Sequence, residues 1–256
     1  MKCLIVIFIS LIVTSLILAG QSSAKIDPKS VVGMWLFDEG SGKLAKDSSG
    51  NGHDGDFIGK PKWVDGKFGQ ALEFDGAGTC VRISPGLSNL ENLTVVAWVY
   101  NAEKWGTTRS EIWCGSATYG DYLLLRGDER GNWHAGEAIW HWYDGASWGA
   151  IPSSPLKDNV WYHLAGSYDG KTLNLYLNGK LVGSKSTAVA SGSMDTCIGC
   201  HPTPTNWWNG MIDEVAVFDL ALTEEEINNI ISYGLENMNP VSPSGKLSTT
   251  WGKIKR

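Results

Sequence analysis

Residues 210–222 read Gly-Met-Ile-Asp-Glu-Val-Ala-Val-Phe-Asp-Leu-Ala-Leu. Side chains alternate along a strand. As one uninterrupted strand, the stretch sets Met211, Val215 and Val217 on one face and Ile212, Ala216, Phe218 and Leu220 on the other. A strand apolar on both faces needs cover on both faces. In this reading Asp213 and Glu214 sit inside it on opposite faces. A carboxylate on a covered face is costly unless it is paired, hydrogen-bonded or bound to a metal. That conflict between burial and charge is the first place to look for function.

Residues 31–39 form a second stretch of this kind, with Val32, Met34 and Leu36 against Val31, Trp35 and Phe37. The two stretches are expected to pair, which brings the ends of the domain together. Between them, strands are expected at 71–74, 79–84, 93–100 and 161–168, with strand-like pieces at 111–114, 122–126 and 133–142. Leu173, Leu175 and Leu177 point one way and Asn174 and Tyr176 the other, and Asn178-Gly179 is a hairpin signal before a return at 181–184. Short strands separated by turn signals indicate an all-β sandwich. One helix is expected at 224–233. Thr223 is its N-cap, Glu226 completes a capping box, and Gly234 stops it.

The chain has 256 residues, 13 Trp, 31 Gly and a formal charge of −6. That length allows one large β domain or two small ones. The acidic balance argues against nucleic-acid binding, which wants a basic patch. Residues 1–24 read as a cleavable export signal, with Lys2, an apolar run at 4–19 and the small residues Ser22-Ser23-Ala24. The run is short for a membrane span. Residues 25–236 are then the domain, and 237–256 a basic, flexible tail. Export favours disulfides among Cys80, Cys114, Cys197 and Cys200, in three possible connectivities. The same spacing also offers a sharper reading. Cys197-Ile198-Gly199-Cys200-His201 matches the haem c attachment pattern. A packed sandwich edge gives a haem little room, so a disulfide is the preferred role.

Several motifs coincide in order and spacing. They include Trp35-Leu36-Phe37-Asp38-Glu39-Gly40-Ser41-Gly42, Asp47-Ser48-Ser49-Gly50-Asn51-Gly52 and Gly69-Gln70-Ala71-Leu72-Glu73-Phe74-Asp75-Gly76. Trp161-Tyr162-His163-Leu164-Ala165, Leu175-Tyr176-Leu177-Asn178-Gly179 and Gly210-Met211-Ile212-Asp213-Glu214-Val215 follow. Together, over about 31–236, they resemble a laminin G-like domain of the concanavalin A-like, pentraxin-related superfamily. The resemblance implies a jelly-roll sandwich of two antiparallel sheets with loops at the rim and one short C-terminal helix. It does not fix function, because the fold carries lectins, adhesion modules and some glycosidases.

The resemblance also implies a structural Ca²⁺ held by Asp47, Asn51 and Asp213, with Asp38 or Asp75 as further ligands. These are hard oxygen donors of the kind Ca²⁺ takes. The bland alternative has Asp47 and Asn51 making turns and Asp213 accepting backbone N–H groups. A sugar platform is the second expectation. Trp105, Trp133, Trp140, Trp142 and Trp148 crowd the middle of the chain, and Trp207-Trp208 precedes the closing strand. Flat rings stack on sugars, although Trp is also highly buried on average. Trp140, Trp142, Trp148, Trp105 and Trp207 are the candidate ligand contacts.

Catalysis finds less support in the residues. Glu73 and Asp75 border a turn, and the Glu-x-Asp-x-x-Glu run of sandwich glycosidases does not occur. The expectation is an exported, non-catalytic module that binds a glycan, a glycoconjugate or a cell-surface protein. The competing readings are an adhesion module addressed by its tail, and a glycan hydrolase.

Overall fold

The structure, a computed structural model, describes residues 25–87, 91–102, 110–115, 124–127, 136–190, 195–203 and 205–238. The expected signal, the tail from residue 239 onward, Trp105 and Trp133 lie outside the described residues. In chain order the strands begin with β1 (Val31–Trp35), β2 (Leu44–Ala45), β3 (Gly55–Ile58), β4 (Lys62–Asp65), β5 (Gln70–Asp75), β6 (Cys80–Ile83), β7 (Leu93–Asn101) and β8 (Ser110–Cys114). They continue with β9 (Leu124–Gly127), β10 (Ala138–Tyr143), β11 (Trp148–Pro152), β12 (Trp161–Tyr168), β13 (Thr172–Leu177), β14 (Lys180–Ser186), β15 (Thr196–Ile198) and β16 (Asn209–Phe218). The helix α1 (Glu224–Tyr233) follows.

Two antiparallel sheets result. One runs β14-β13-β12-β7-β16-β5-β4, and the other β11-β10-β9-β8-β15-β6-β3-β2. β16 organises the first sheet. One edge lies along β7. The other edge is shared, with Asn209 to Ile212 opposite β5 and Val215 to Phe218 opposite β1. The expected pairing of the first and last strands is therefore present. β1 is shorter than the apolar pattern implies, because Phe37 turns to φ 58 just after it. A positive φ breaks the extended path for any residue with a side chain.

β16 departs from simple alternation. A bulge lies between Asp213 and Ala216, and Glu214 adopts φ 51. A bulge inserts one extra residue and resets which face each later side chain takes. Ile212 therefore shares the sandwich core with Val215 and Val217, while Ala216 and Phe218 join the opposite cluster. The expected grouping of Ile212 with Ala216 and Phe218 is corrected by this insertion. So is the expectation that Asp213 and Glu214 point to opposite faces, since both meet the segments that cover the outer side of the sheet.

The inner core draws on both sheets, including Trp35, Leu72, Phe74, Val95, Trp113, Trp140, Leu164, Leu175 and Val217. Contact between the sheets is close at Gly166 on β12, where an added Cβ would run into the ring of Trp140 on β10. The outer face of the first sheet has its own cover. Ile227 and Ile230 of α1 pack with Val31, Val96, Phe218, Leu222 and Leu235. Thr223 and Glu226 form the capping box that starts α1. The strand apolar on both faces is thus covered on both.

Candidate ligand-binding hairpin and buried carboxylates

β10 sends alternate side chains to the two faces of its sheet. Ala138, Trp140 and Trp142 enter the inner core, and Trp140 is fully buried. Trp142 lies against Gly149 of β11, where a Cβ would collide with its ring. As sugar contacts, Trp140 and Trp142 are therefore corrected to core residues. They occupy the inward positions of a strand that closes the sandwich, and no ring face is presented to solvent.

The outward positions carry different chemistry. Tyr143 stands opposite Trp148 across the β10–β11 ladder. Trp148 is 41% exposed. Its ring stacks parallel on His141 at 4.8 Å and 3°, and tilts against Tyr143 at 4.9 Å. The turn behind these rings is fixed by Asp144, whose carboxylate accepts from the Ala146 and Ser147 N–H groups at 2.8 and 2.7 Å and from the Ser147 hydroxyl. Those hydrogen bonds, the Ser147 N–H foremost, hold the Asp144 carboxyl below its usual range. The result is an exposed ring face held at a hairpin tip, with the half-buried Tyr143 beside it and the buried His141 beneath it. Trp207 is half-buried against the core in the loop before β16, and its neighbour Trp208 is fully buried. Of the expected ligand residues, Trp148 alone joins this cluster among the described residues. His141 and Tyr143 were missed by sequence reasoning, although the period of β10 separates them from Trp140 and Trp142.

Of the five expected calcium candidates, Asp75 accepts from the Ala77, Gly78 and Thr79 N–H groups of its own turn, and the other four fall into two groups. Asp47 Oδ1 accepts from the N–H groups of Met34 and Ser49, and its Oδ2 from His53. Burial pushes Asp47 up, but hydrogen bonds from Ser49, His53 and Met34 outweigh it and hold the carboxyl below its usual range. The Asn51 amide Nδ2 donates to the carbonyls of Val31 and Val32 at 2.8 and 3.0 Å. These two residues clamp their loop onto β1. The second group meets the β4–β5 turn, where Asp38 Oδ1 accepts from Gln70 N–H at 2.7 Å. Asp213 Oδ2 accepts from the Lys67 and Phe68 N–H groups at 2.8 and 3.0 Å. Gly66 permits this approach, since a Cβ there would lie 2.6 Å from Asp213 Oδ2. The expected single cage of Asp47, Asn51, Asp213 and Asp38 is therefore not assembled, because backbone N–H groups claim oxygens of the three aspartates at two separate places and Asn51 donates to backbone carbonyls. Among the described residues, no three His, Cys, Asp or Glu side chains converge on a metal position.

Asp213 is still unusual. It is fully buried, and its Oδ1 has no hydrogen-bond partner. Burial pushes it up to about 8, a rise that the Phe68 and Lys67 N–H groups oppose and the Glu214 charge reinforces. Glu214 accepts a short hydrogen bond from Leu235 N–H, beyond the end of α1. Burial pushes it up to about 7, against that hydrogen bond and with the charges of Asp38 and Glu236 adding to the rise. Across the ladder Asp213 faces Trp98, and Trp98 faces His163. Lys67 Nζ lies 4.6 Å from the Trp98 ring centre, and Phe68 and His163 pack edge-on against the same ring.

Cys80 and Cys200 are joined in a disulfide. The sulfur of Cys200 is therefore engaged, and the haem c pattern at Cys197-Cys200-His201 lacks one of the two thioether sulfurs it requires. Among the described residues, no helix is long and apolar enough to cross a membrane.

Comparison with known proteins places the fold. The receptor-binding domain of botulinum neurotoxin C/D mosaic serotype superposes with a TM-score of 0.64 at 16% identity, covering 80% of this chain and 52% of that one. The binding domain of Paraclostridial Mosquitocidal Protein 1 gives 0.60 at 17% identity, with 80% and 52% covered. Domain 4 of AbnA, an extracellular arabinanase from Geobacillus stearothermophilus solved with arabinotriose, gives 0.55 at 21% identity, with 79% and 98% covered. This chain thus spans about half the length of the toxin domains it resembles. No curated protein matches the sequence. Residues 75–228 match the Laminin_G_3 family model. The chain belongs to that family, within the Concanavalin A-like lectin/glucanases superfamily.

Proposed function

We propose that this protein is an exported, non-catalytic module that binds a glycan through the β10–β11 hairpin. The observation that carries this reading is Trp148, exposed and held flat by its stack on His141 beside Tyr143. A flat exposed ring with a half-buried tyrosine beside it suits the apolar face and hydroxyl rim of a sugar. The similar arabinanase domain with its bound arabinotriose supports the ligand class. Binding is favoured over hydrolysis because the most perturbed carboxylates, Asp213 and Glu214, lie under the β4–β5 turn and the end of α1, gripped by backbone N–H groups. The ligand then belongs to a cell-surface or extracellular polysaccharide or glycoconjugate.

The test is titration of a polysaccharide panel with the unaltered protein and with Trp148→Ala. Saccharide binding that weakens at least tenfold on Trp148→Ala supports the reading. Binding unchanged by the substitution, or silence across the panel, overturns it. A structural calcium belongs to the same proposal in a narrower form, in which the buried Oδ1 of Asp213 would be one ligand and the others would be backbone carbonyls or waters. Melting with calcium and with a chelator tests it, and equal melting temperatures remove calcium from the proposal.

A further inference from the structure

We propose that Cys114 and Cys197 form a second disulfide, across the ladder between β8 and β15. The two are direct partners on antiparallel strands, with Ile198 opposite Trp113 next to them. Direct partners project to one face with Cα atoms roughly 4.5–5.5 Å apart. Disulfides span roughly 4.4–6.8 Å between Cα atoms. Cys197 is also opposite Arg82 of β6. Arg82, Cys197 and Cys114 therefore stand in one row across β6, β15 and β8.

Topology removes the other pairings. β15 separates β6 from β8. Cys80 and Cys114 thus stand two strand spacings apart, roughly 9–10 Å, beyond the reach of a disulfide. That excludes Cys80–Cys114 with Cys197–Cys200. Cys80 is joined instead to Cys200, with Cα atoms 5.7 Å apart. The structure leaves Cys114 and Cys197 unbridged, and the one full pairing that keeps Cys80–Cys200 joins them to each other.

The oxidant required is a low-molecular-weight disulfide. One cysteine thiolate attacks it and releases one small thiol, and the second cysteine then attacks the mixed disulfide and releases the other. The cysteine pair loses two electrons and its two protons leave on the released thiols. One S–S bond breaks and one forms. Burial pushes the Cys197 thiol up to about 11. Little thiolate exists once the sheet has closed, so the exchange belongs to folding, before β8 docks on β15. With both bridges in place, the short segment 197–200 is tied to β8 on one side and to β6 on the other.

The experiment is a disulfide map of the full chain produced in an oxidising compartment. The protein is denatured with an alkylating agent and no reductant, then digested. Trypsin leaves Cys197 and Cys200 on one peptide, so fragmentation between them assigns each bridge. The expected result is Cys114 linked to Cys197 beside Cys80 linked to Cys200. Alkylated Cys114 and Cys197 beside an intact Cys80–Cys200 bridge, or Cys114 linked elsewhere, overturns the proposal. If that compartment leaves all four reduced, the map is repeated after refolding with oxidised glutathione, where alkylation of both cysteines has the same force. Cys114→Ser provides a second measurement. It should expose Cys197 to alkylation and leave Cys80–Cys200 linked, and a Cys197 that stays protected overturns the pairing.

Discussion

The Phe68 N–H donates to Asp213 Oδ2 over 3.0 Å, joining positions 145 residues apart in the chain. With the parallel bond from Lys67, one buried carboxylate closes the β4–β5 turn onto β16. Asp213→Ala leaves both donors without an acceptor. Both donors are part-buried, so each orphaned N–H costs toward the low end of about 1–3 kcal/mol. The expected loss is about 2–4 kcal/mol in urea unfolding, with faster amide exchange at Lys67 and Phe68. Asp213→Asn keeps an acceptor and should cost less than half as much.

His163 sets an acid limit on stability. Both of its ring nitrogens are buried without partners, and burial holds it down to about 3 from 6.5. Below pH 6.5 the unfolded chain takes up a proton that the folded chain refuses. This contribution is therefore fully present above pH 6.5 and is lost as pH falls toward about 3. His163→Phe keeps a ring against Trp98 and cannot titrate. The difference in stability between variant and parent should grow as pH falls from 7 to 4. A difference that does not change with pH contradicts this account.

The contact between the sheets leaves no room for a methyl group at Gly166. Gly166→Ala drives a Cβ into the Trp140 ring and should cost about 1–3 kcal/mol. The thermal midpoint should fall without change in the circular dichroism of the folded protein.

Two tryptophans six residues apart should behave as opposites. Trp142→Ala empties a core position and should cost about 3–5 kcal/mol. Trp148→Ala removes an exposed ring and should change stability by about 0.5 kcal/mol or less. Equal losses in thermal unfolding would contradict the assignment of faces along β10 and β11.

The sandwich, the pairing of β1 with β16 and the capped helix were all legible, because each rests on a local signal. Alternation, Asn178-Gly179 and the Thr223–Glu226 box carry their own geometry. The faces of Asp213 and Glu214 were not legible. A bulge that places a glutamate at φ 51 leaves no mark in composition or periodicity. The short strands β2, β3, β4 and β15 were missed for a related reason. Their pairing is decided by neighbours far along the chain, not by their own few residues. Trp140 and Trp148 look alike in the sequence, and only the register of β10 with β11 tells an inward ring from an outward one.

The antiparallel match of Val31 with Phe218 sets the start of β1 and the end of β16 at one corner of the sheet. Ile26 and Met238 share a cluster there, so the polypeptide enters and leaves on the same side. Tension applied between entry and exit would load the β1–β16 hydrogen bonds one rung at a time, as in unzipping, and never as a row in shear. The domain should therefore yield to modest mechanical force however well its interior withstands heat.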